Sequence, residues 1–267
     1  MKMIDEADFD YAKFGYSEKD VGDGIVFSKM DINSTSKNIG FSRGSYRIIS
    51  VHNLYIFQST LKQKVIKIFE NTLGELLHKL KIKRTDKILV CGLGNGEIVA
   101  DSFGVMACKE ILATNNINSD LTKSKICCIN PNVKAITGID TFDIVFGIAS
   151  KINAKLIILI DSLLTKNIQR LGHSFQLSTC GMTPGGAIGK GKEISEKTTK
   201  IKCLSLGVPF MFDLTQKVGK SKKSIIVSPK DNYKMIHFCA KIVGVAINNY
   251  FNPNLNSAEI DELKNNF

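Results

Sequence analysis

Residues 87–101 read KILVCGLGNGEIVAD and residues 156–162 read LIILIDS. Each stretch starts with a short apolar run, Lys87 to Cys91 and Leu156 to Ile160, of the length of a buried strand and too short for a helix. Between them lie a helical pattern near Asp101 to Ala113, a strand-like run at Ile126 to Ile129, and a second helical pattern near Thr141 to Ile152. Strands alternating with helices predict parallel strands joined by right-handed crossovers. The expected fold class is α/β: a doubly wound, mostly parallel sheet flanked by helices.

Reading outward, Leu61, Val65, Ile68, Phe69, Leu73, Leu76, Leu77 and Leu80 recur at helical spacing. They predict a long amphipathic helix from Ser59 that packs on the sheet. Further strands are expected at Phe175 to Ser178 and Ile201 to Leu206. Ser228 as N-cap and Pro229 at the first helical position predict a last helix running to about Tyr250. Residues 1–57 hold strand-like pieces at Gly24 to Phe27 and Tyr46 to Val51, split by a Ser/Asn/Gly-rich stretch, and are expected to form a small β extension on the core. The expected organisation is thus an extension over 1–57, an α/β core over 58–252 and a tail over 253–267.

The 267 residues are 43% hydrophobic, enough for one sizeable core and too few for a second full domain. Met1 to Asp10 is acidic where a signal peptide would be basic, and no apolar run is long enough to cross a bilayer. A soluble protein that is not secreted is expected. Seven cysteines, Cys91, Cys108, Cys127, Cys128, Cys180, Cys203 and Cys239, form no C-x-x-C pair, and several lie in apolar runs, which points to a reducing compartment. The net charge of +11 comes from lysines spread along the chain; the densest run, Lys217 to Lys223, reads as a solvated loop, and no direct nucleic-acid contact is expected.

Gly92-Leu93-Gly94-Asn95-Gly96 stands between a strand and a helix, where a dinucleotide loop would sit, but Glu97 replaces the third glycine of the fingerprint. A tight turn is the better reading. Gly186 to Lys192 spells G-x-x-x-x-G-K, yet Glu193 occupies the magnesium-holding Ser/Thr position. The histidines His52, His78, His173 and His237 are scattered, so no zinc site is evident and no metal or cofactor is expected. Cys180 with His173 could be pictured as thiol and base, though nothing in their spacing selects them.

Asp161 follows directly on its apolar strand, and Asp101 lies in the connection after the first strand, so both should open onto the crevice beyond the strands' carboxyl ends. Two carboxylates in one crevice can share a proton, one acting as base toward water and the other as acid toward a leaving group. A helix start would keep Asp101 ionised; an apolar strand end would favour a protonated Asp161. An ordinary N-cap at Asp101 and an ordinary Asx turn at Asp161 are the alternatives that position leaves open.

In order along the chain, Leu89-Val90-Cys91-Gly92-Leu93-Gly94-Asn95, Asp101-Ser102-Phe103-Gly104, Ile136-Thr137-Gly138-Ile139-Asp140-Thr141, Ile160-Asp161-Ser162-Leu163 and Ile168-Gln169-Arg170 resemble the core of the germination protease family. So do Gly181-Met182-Thr183-Pro184-Gly185-Gly186, Lys192-Glu193-Ile194-Ser195, Leu206-Gly207-Val208-Pro209 and Val227-Ser228-Pro229-Lys230, with a weaker likeness at Gly40 to Tyr46. The resemblance covers roughly residues 22 to 252. It implies an atypical aspartic endopeptidase that degrades small acid-soluble DNA-binding spore proteins during germination, in the cytoplasm of the spore core, without a cofactor. The same likeness implies a fold shared with hydrogenase maturation proteases and a homotetramer made from a self-cleaving zymogen. Asp101 and Asp161 match the catalytic pair, and Gly92, Gly94, Asn95, Thr137, Gly138, Gly181, Pro184 and Gly185 are expected to shape the substrate crevice. The chain departs from the family in lacking the Arg-Thr-Asp-Leu-Ala processing segment within Met1 to Val21, in having only Gln216 to Ile226 where a long insertion is usual, and in carrying Thr179 and Thr183 at positions the family fills with Asp and His. Three rival readings are a metal-dependent processing protease with the aspartates as ligands, a degenerate binding protein of the same fold, and a nucleotide-binding protein.

Overall fold

The computed structural model describes residues 15–33, 42–52, 59–117, 120–185, 191–215 and 225–266. The two quoted apolar runs form β4 (Lys87–Gly92) and β6 (Leu156–Thr165), which lie side by side and parallel. β5 (Lys125–Ile129) pairs parallel with the other edge of β4, and β8 (Lys202–Asp213) pairs parallel with β6. This gives a four-strand parallel centre in the order β5-β4-β6-β8.

The sheet as a whole is mixed, which corrects the expectation of a mostly parallel one. β7 (Ser174–Ser178) joins β8 antiparallel and continues through β3 (Gly44–Val51), β2 (Ile25–Ile32) and β1 (Ser17–Gly22), each antiparallel to its neighbour. β9 (Ile226–Val227) adds a short antiparallel pair to β8 and completes nine strands. The N-terminal strands therefore extend the same sheet. β8 runs well past the Leu206 expected as its end. Pro209 donates no backbone hydrogen bond, and the register slips between Leu163 and Leu164 beside it, so the strand passes the proline by way of an irregularity.

Both faces are covered. One carries α1 (Ser59–Lys79), α2 (Phe103–Glu110) and α6 (Asn232–Phe251), whose Phe69, Leu73, Phe103, Ala107, Ile236 and Val243 pack on Ile88, Val90, Ile158, Ile160 and Leu206. The other carries α4 (Thr141–Lys151), whose Phe142, Val145 and Ala149 pack on Leu89, Cys91, Ile157, Leu159 and Cys203. Continuous apolar runs on β4 and β6 follow from burial on both faces. Asp140 caps α4, its carboxylate accepting the Phe142 N–H. Two short helices, α3 (Lys134–Thr137) and α5 (Glu196–Thr199), lie in the connections after β5 and before β8. The last long helix starts at Asn232 with Asp231 as N-cap, so Ser228 and Pro229 precede it rather than open it. Residues beyond 252 include α7 (Ser257–Asn266), which buries Ile260.

The antiparallel wing is tied to α1 through Arg47, only 1% exposed, which donates to Asp31 of β2 and Glu75 of α1. Lys79 joins the same two carboxylates. No helix among the described residues is long and apolar enough to cross a membrane. The glycine-lysine stretch at 186–190 and the Lys217 to Lys223 run lie outside the described residues.

Candidate active site

β4 leads to β5 on one side while β6 leads to β8 on the other, so the winding reverses between β4 and β6. The connections leaving these two strands part there, which is where an open α/β sheet forms its ligand crevice, at the strands' carboxyl ends. β4 stops at Gly92, paired with Ile160, whereas β6 continues. Asp161 therefore lies within a strand and not at its end, as the sequence suggested, yet it stands one residue beyond the edge of β4. Its side chain is partly buried and faces α4's side of the sheet, since Ile160 points into the opposite core.

Asp101 closes a single 3-10 turn, Val99–Asp101, just ahead of α2. The N-cap of α2 is Ser102, which excludes the ordinary N-cap reading of Asp101. One carboxylate oxygen of Asp101 instead accepts the backbone N–H of Asn95 at 2.7 Å, closing the glycine loop onto the aspartate. The Asn95 side chain accepts the Glu97 N–H at 2.9 Å and stiffens the same loop. Gly94 has φ +99, and a Cβ there would sit 2.1 Å from the Asp101 carbonyl oxygen and 3.1 Å from its carboxyl carbon. Only glycine lets the loop approach this closely. Gly104, in the first turn of α2, rests on the carbonyls of Ile160 and Leu93, and the Leu93 N–H donates to Ile160 at 2.8 Å. These contacts seat the Asp101 turn directly over the junction of β4 and β6.

The electrostatics separate the two carboxyls. Burial first and the charge of Asp101 second push Asp161 up from 3.8 to about 8, against the opposing Ser162 backbone amide. Burial also raises Asp101, with the Asn95 N–H working in the other direction. Asp161 is thus the group that holds a proton at neutral pH, and Asp101 is the neighbour whose negative charge helps it do so.

The remaining predicted crevice residues divide into two sets. Gly92 is packed against Gly104, Cys108 and Asn130, and with Gly94 and Asn95 it forms the loop around Asp101. Gly181, Pro184 and Gly185 belong to a second loop that is zipped to residues 191–195 by the Met182 and Ile194 backbone pair, at 3.0 and 2.8 Å. Gly181, at φ +78, lets that backbone pass Ile194 and Ser195. Thr137 and Gly138 end α3 after the edge strand β5; Gly138 is its left-handed C-cap, and the Thr137 hydroxyl serves its own turn through Val133 and Ile139. Among the described residues, no hydrogen bond joins this second loop or the α3 turn to either aspartate.

Other candidates from the sequence come apart. His173 and Cys180 flank opposite ends of β7, roughly 20 Å of extended chain. The Cys180 thiol, pushed up by burial, sits beside the Tyr46 hydroxyl at 3.0 Å. Among the described residues no three His, Cys, Asp or Glu side chains gather in a group that could hold a metal. Sequence reasoning missed Gln176, a buried carboxamide on the same sheet face as Asp161. Its signal was the alternation of Ser174, Gln176 and Ser178 with Phe175 and Leu177, which reads as a strand with one face in water although both faces are buried.

The comparisons with known proteins fall on this same region. A family model described as germination protease matches residues 5–221. A germination protease of Geobacillus sp. (strain WCH70) is 33% identical over 199 residues, which is 72% of this chain and 54% of that protein. Those of Bacillus cytotoxicus and Bacillus mycoides are 31% and 30% identical over the same shares. The chain thus spans about half the length of the curated relatives it matches.

Proposed function

The chain belongs to the germination protease family, and from that premise we propose that it is an endopeptidase in which Asp101 and Asp161 drive the attack of water on a peptide bond. The observation that carries the reading is the pairing of two carboxyls of unequal proton affinity at the switch point, with Asp161 raised to about 8 beside the charge of Asp101. Asp101, ionised, takes a proton from water as the hydroxide adds to the carbonyl carbon. Asp161, protonated, gives its proton to the leaving nitrogen as the C–N bond breaks. One proton enters the pair and one leaves, so the couple ends with its charges exchanged and is reset through solvent. The Asn95 amide holds Asp101 in place throughout.

Small acid-soluble spore proteins, cut during germination in the cytoplasm of the spore core, are the substrates the family suggests. Assembly as a homotetramer, and a doubly wound core over 58–252 like that of hydrogenase maturation proteases, belong to the same proposal, as do the extension over 1–57 and the tail from 253. A second reading, a binding protein that holds the substrate without cutting it, draws on Thr179. Its hydroxyl accepts the Ser45 N–H at 3.0 Å and is committed to joining β3 to the end of β7.

The test is cleavage of a purified small acid-soluble spore protein by the wild type and by Asp101→Asn and Asp161→Asn, with and without chelator. Chelator-resistant cutting that both substitutions abolish, with neither variant melting below the wild type, supports the aspartate pair. Cutting that chelator stops reassigns the two carboxyls to a metal, and intact substrate with measurable binding favours the second reading.

A further inference from the structure

Gln176, Gly207 and Asp161 form one row across the sheet. Gln176 of β7 is paired with Gly207 of β8, and Gly207 is paired with Asp161 of β6. All three face α4's side, because Phe175, Leu177, Leu206, Val208 and Ile160 point into the opposite core. That face carries two separate apolar clusters. One is under α4, and the other is built from Met30, Ile32, Tyr46 and Ile48 of the antiparallel wing. Between them runs a polar seam of Ser178, Gln176, Ser205 and Gly207 that meets Asp161.

Two members of the seam are closed to a ligand. The Ser178 hydroxyl accepts the Cys180 N–H at 3.1 Å, and Ser205, whose hydroxyl has no partner among the described residues, is sealed at 0% exposure. Gln176 is different. It is 3% exposed, and its carboxamide makes no hydrogen bond among the described residues. Unlike the Ser205 hydroxyl, the Gln176 carboxamide is not among the sealed polar atoms that lack a partner, so it stands at the edge of solvent with its donor and acceptor both uncommitted. Gly207 between Gln176 and Asp161 has no side chain, and the space a Cβ would take is occupied by the branched end of Leu163, about 2.6 Å from that position. The row thus reads carboxyl, leucine-covered glycine, uncommitted amide.

We propose that Gln176 is a substrate-binding residue of the proposed peptidase, its carboxamide forming hydrogen bonds to a main-chain peptide group of the bound polypeptide. This rests on the endopeptidase reading above. A carboxamide offers both a donor and an acceptor, which matches the N–H and C=O of a peptide group. Two strand spacings separate Gln176 from Asp161, roughly 10 Å, and an extended chain advances about 3.3 Å per residue. The bound peptide group therefore lies about three residues from the scissile bond, with Leu163 beneath the chain in between.

The experiment measures kcat and KM separately for the full-length protein and for Gln176→Met, which keeps volume and removes hydrogen bonding. The substrates are a peptide extending at least five residues on both sides of the cut and versions shortened to two residues on either side. The expected result is a KM raised about tenfold to a hundredfold on the long peptide with kcat within about threefold, and no difference between the proteins on one of the shortened peptides. A purely structural role for Gln176 would affect every peptide alike. Equal KM values on the long peptide, or a loss independent of length, would overturn the inference and leave the peptidase reading intact. If Gln176→Met melts early, Gln176→Glu, which keeps the shape and loses the donor, is read in the same way. Wild-type protein that leaves every peptide intact would remove the peptidase reading, and this inference with it.

Discussion

Replacing Asp161 by Asn should stabilise the protein increasingly as pH rises. The folded chain holds the Asp161 proton up to about pH 8, whereas the unfolded chain releases it near 3.8. Between those values the native state binds a proton that the unfolded state does not, so wild-type stability falls with rising pH, at up to about 1.4 kcal/mol per pH unit. The fall begins near the unfolded value and ends above the folded one. From pH 5 to pH 7 it amounts to about 2.7 kcal/mol, and solvent reaching the partly exposed carboxyl reduces this to about 2 kcal/mol. The carboxamide of the Asp161→Asn variant has nothing to titrate. For a chain of this size, 1 kcal/mol moves the melting temperature by about 2–4 °C. The gap between Asp161→Asn and wild type should therefore widen by about 4–8 °C across that interval, with all other titrating groups cancelling in the difference. Thermal melts at half-unit steps of pH in constant ionic strength measure it. A gap that stays within about 1 °C from pH 5 to pH 7 would refute the argument, because Asp161 would then titrate like an exposed carboxyl.

Three further outcomes follow from named contacts. Asp101→Asn removes the charge that helps raise Asp161, so the decline of stability with pH should level off at a lower pH than in the wild type, visible in the same melts. Gly94→Ala drives a methyl against the Asp101 carbonyl at a left-handed φ and should lower kcat by about a hundredfold or more in a peptide-cleavage assay, with a smaller loss of stability. Arg47→Met should destabilise the fold by about 2–4 kcal/mol in urea titrations. The Arg47 hydrogen bonds hold Glu75 below the usual carboxylate range, and against the effect of burial they and Lys79 do the same for Asp31. Wild-type stability should accordingly be lost as pH falls below about 4, and Arg47→Met should lose less over that range.

The parts of the fold legible in the sequence are those where one force dominates. Burial on both faces admits only apolar residues at Ile88 to Val90 and at Leu156 to Ile160, and the apolar residues from Phe69 to Leu77 fall on one stripe because α1 is wet on the other side. Where a local signal competes with tertiary pairing, the sequence misleads. Asp161 looks like a strand end, yet β8 supplies partners out to Thr165. β8 reads as ending at Leu206, yet it runs on through Pro209 to Asp213. β1 shows no apolar alternation because Glu18, Lys19 and Asp20 lie on an exposed edge, where charge suits a strand with one free side. The placement of Asp101 and Asp161 beside the switch point, on which the proposed pair rests, followed from their positions after apolar strands. The row that Gln176 shares with Asp161 was not legible, because it runs through Gly207, a residue 31 positions later in number and adjacent only in the sheet.

The joining of β3 to β7 sets an order of events during synthesis. Ser45 and Thr179, which meet across that seam, are separated by 134 residues. At about 5–20 residues per second, the ribosome needs roughly 7 to 27 seconds to deliver the partner after the first strand has emerged. β1, β2 and β3 can form their hairpins in that interval, but the free edge of β3 has to wait, with Ile48 and Ile49 uncovered, until the centre of the sheet arrives. The nascent wing is thus the stretch most in need of a chaperone, and the exposed charges on β1 protect its other edge meanwhile.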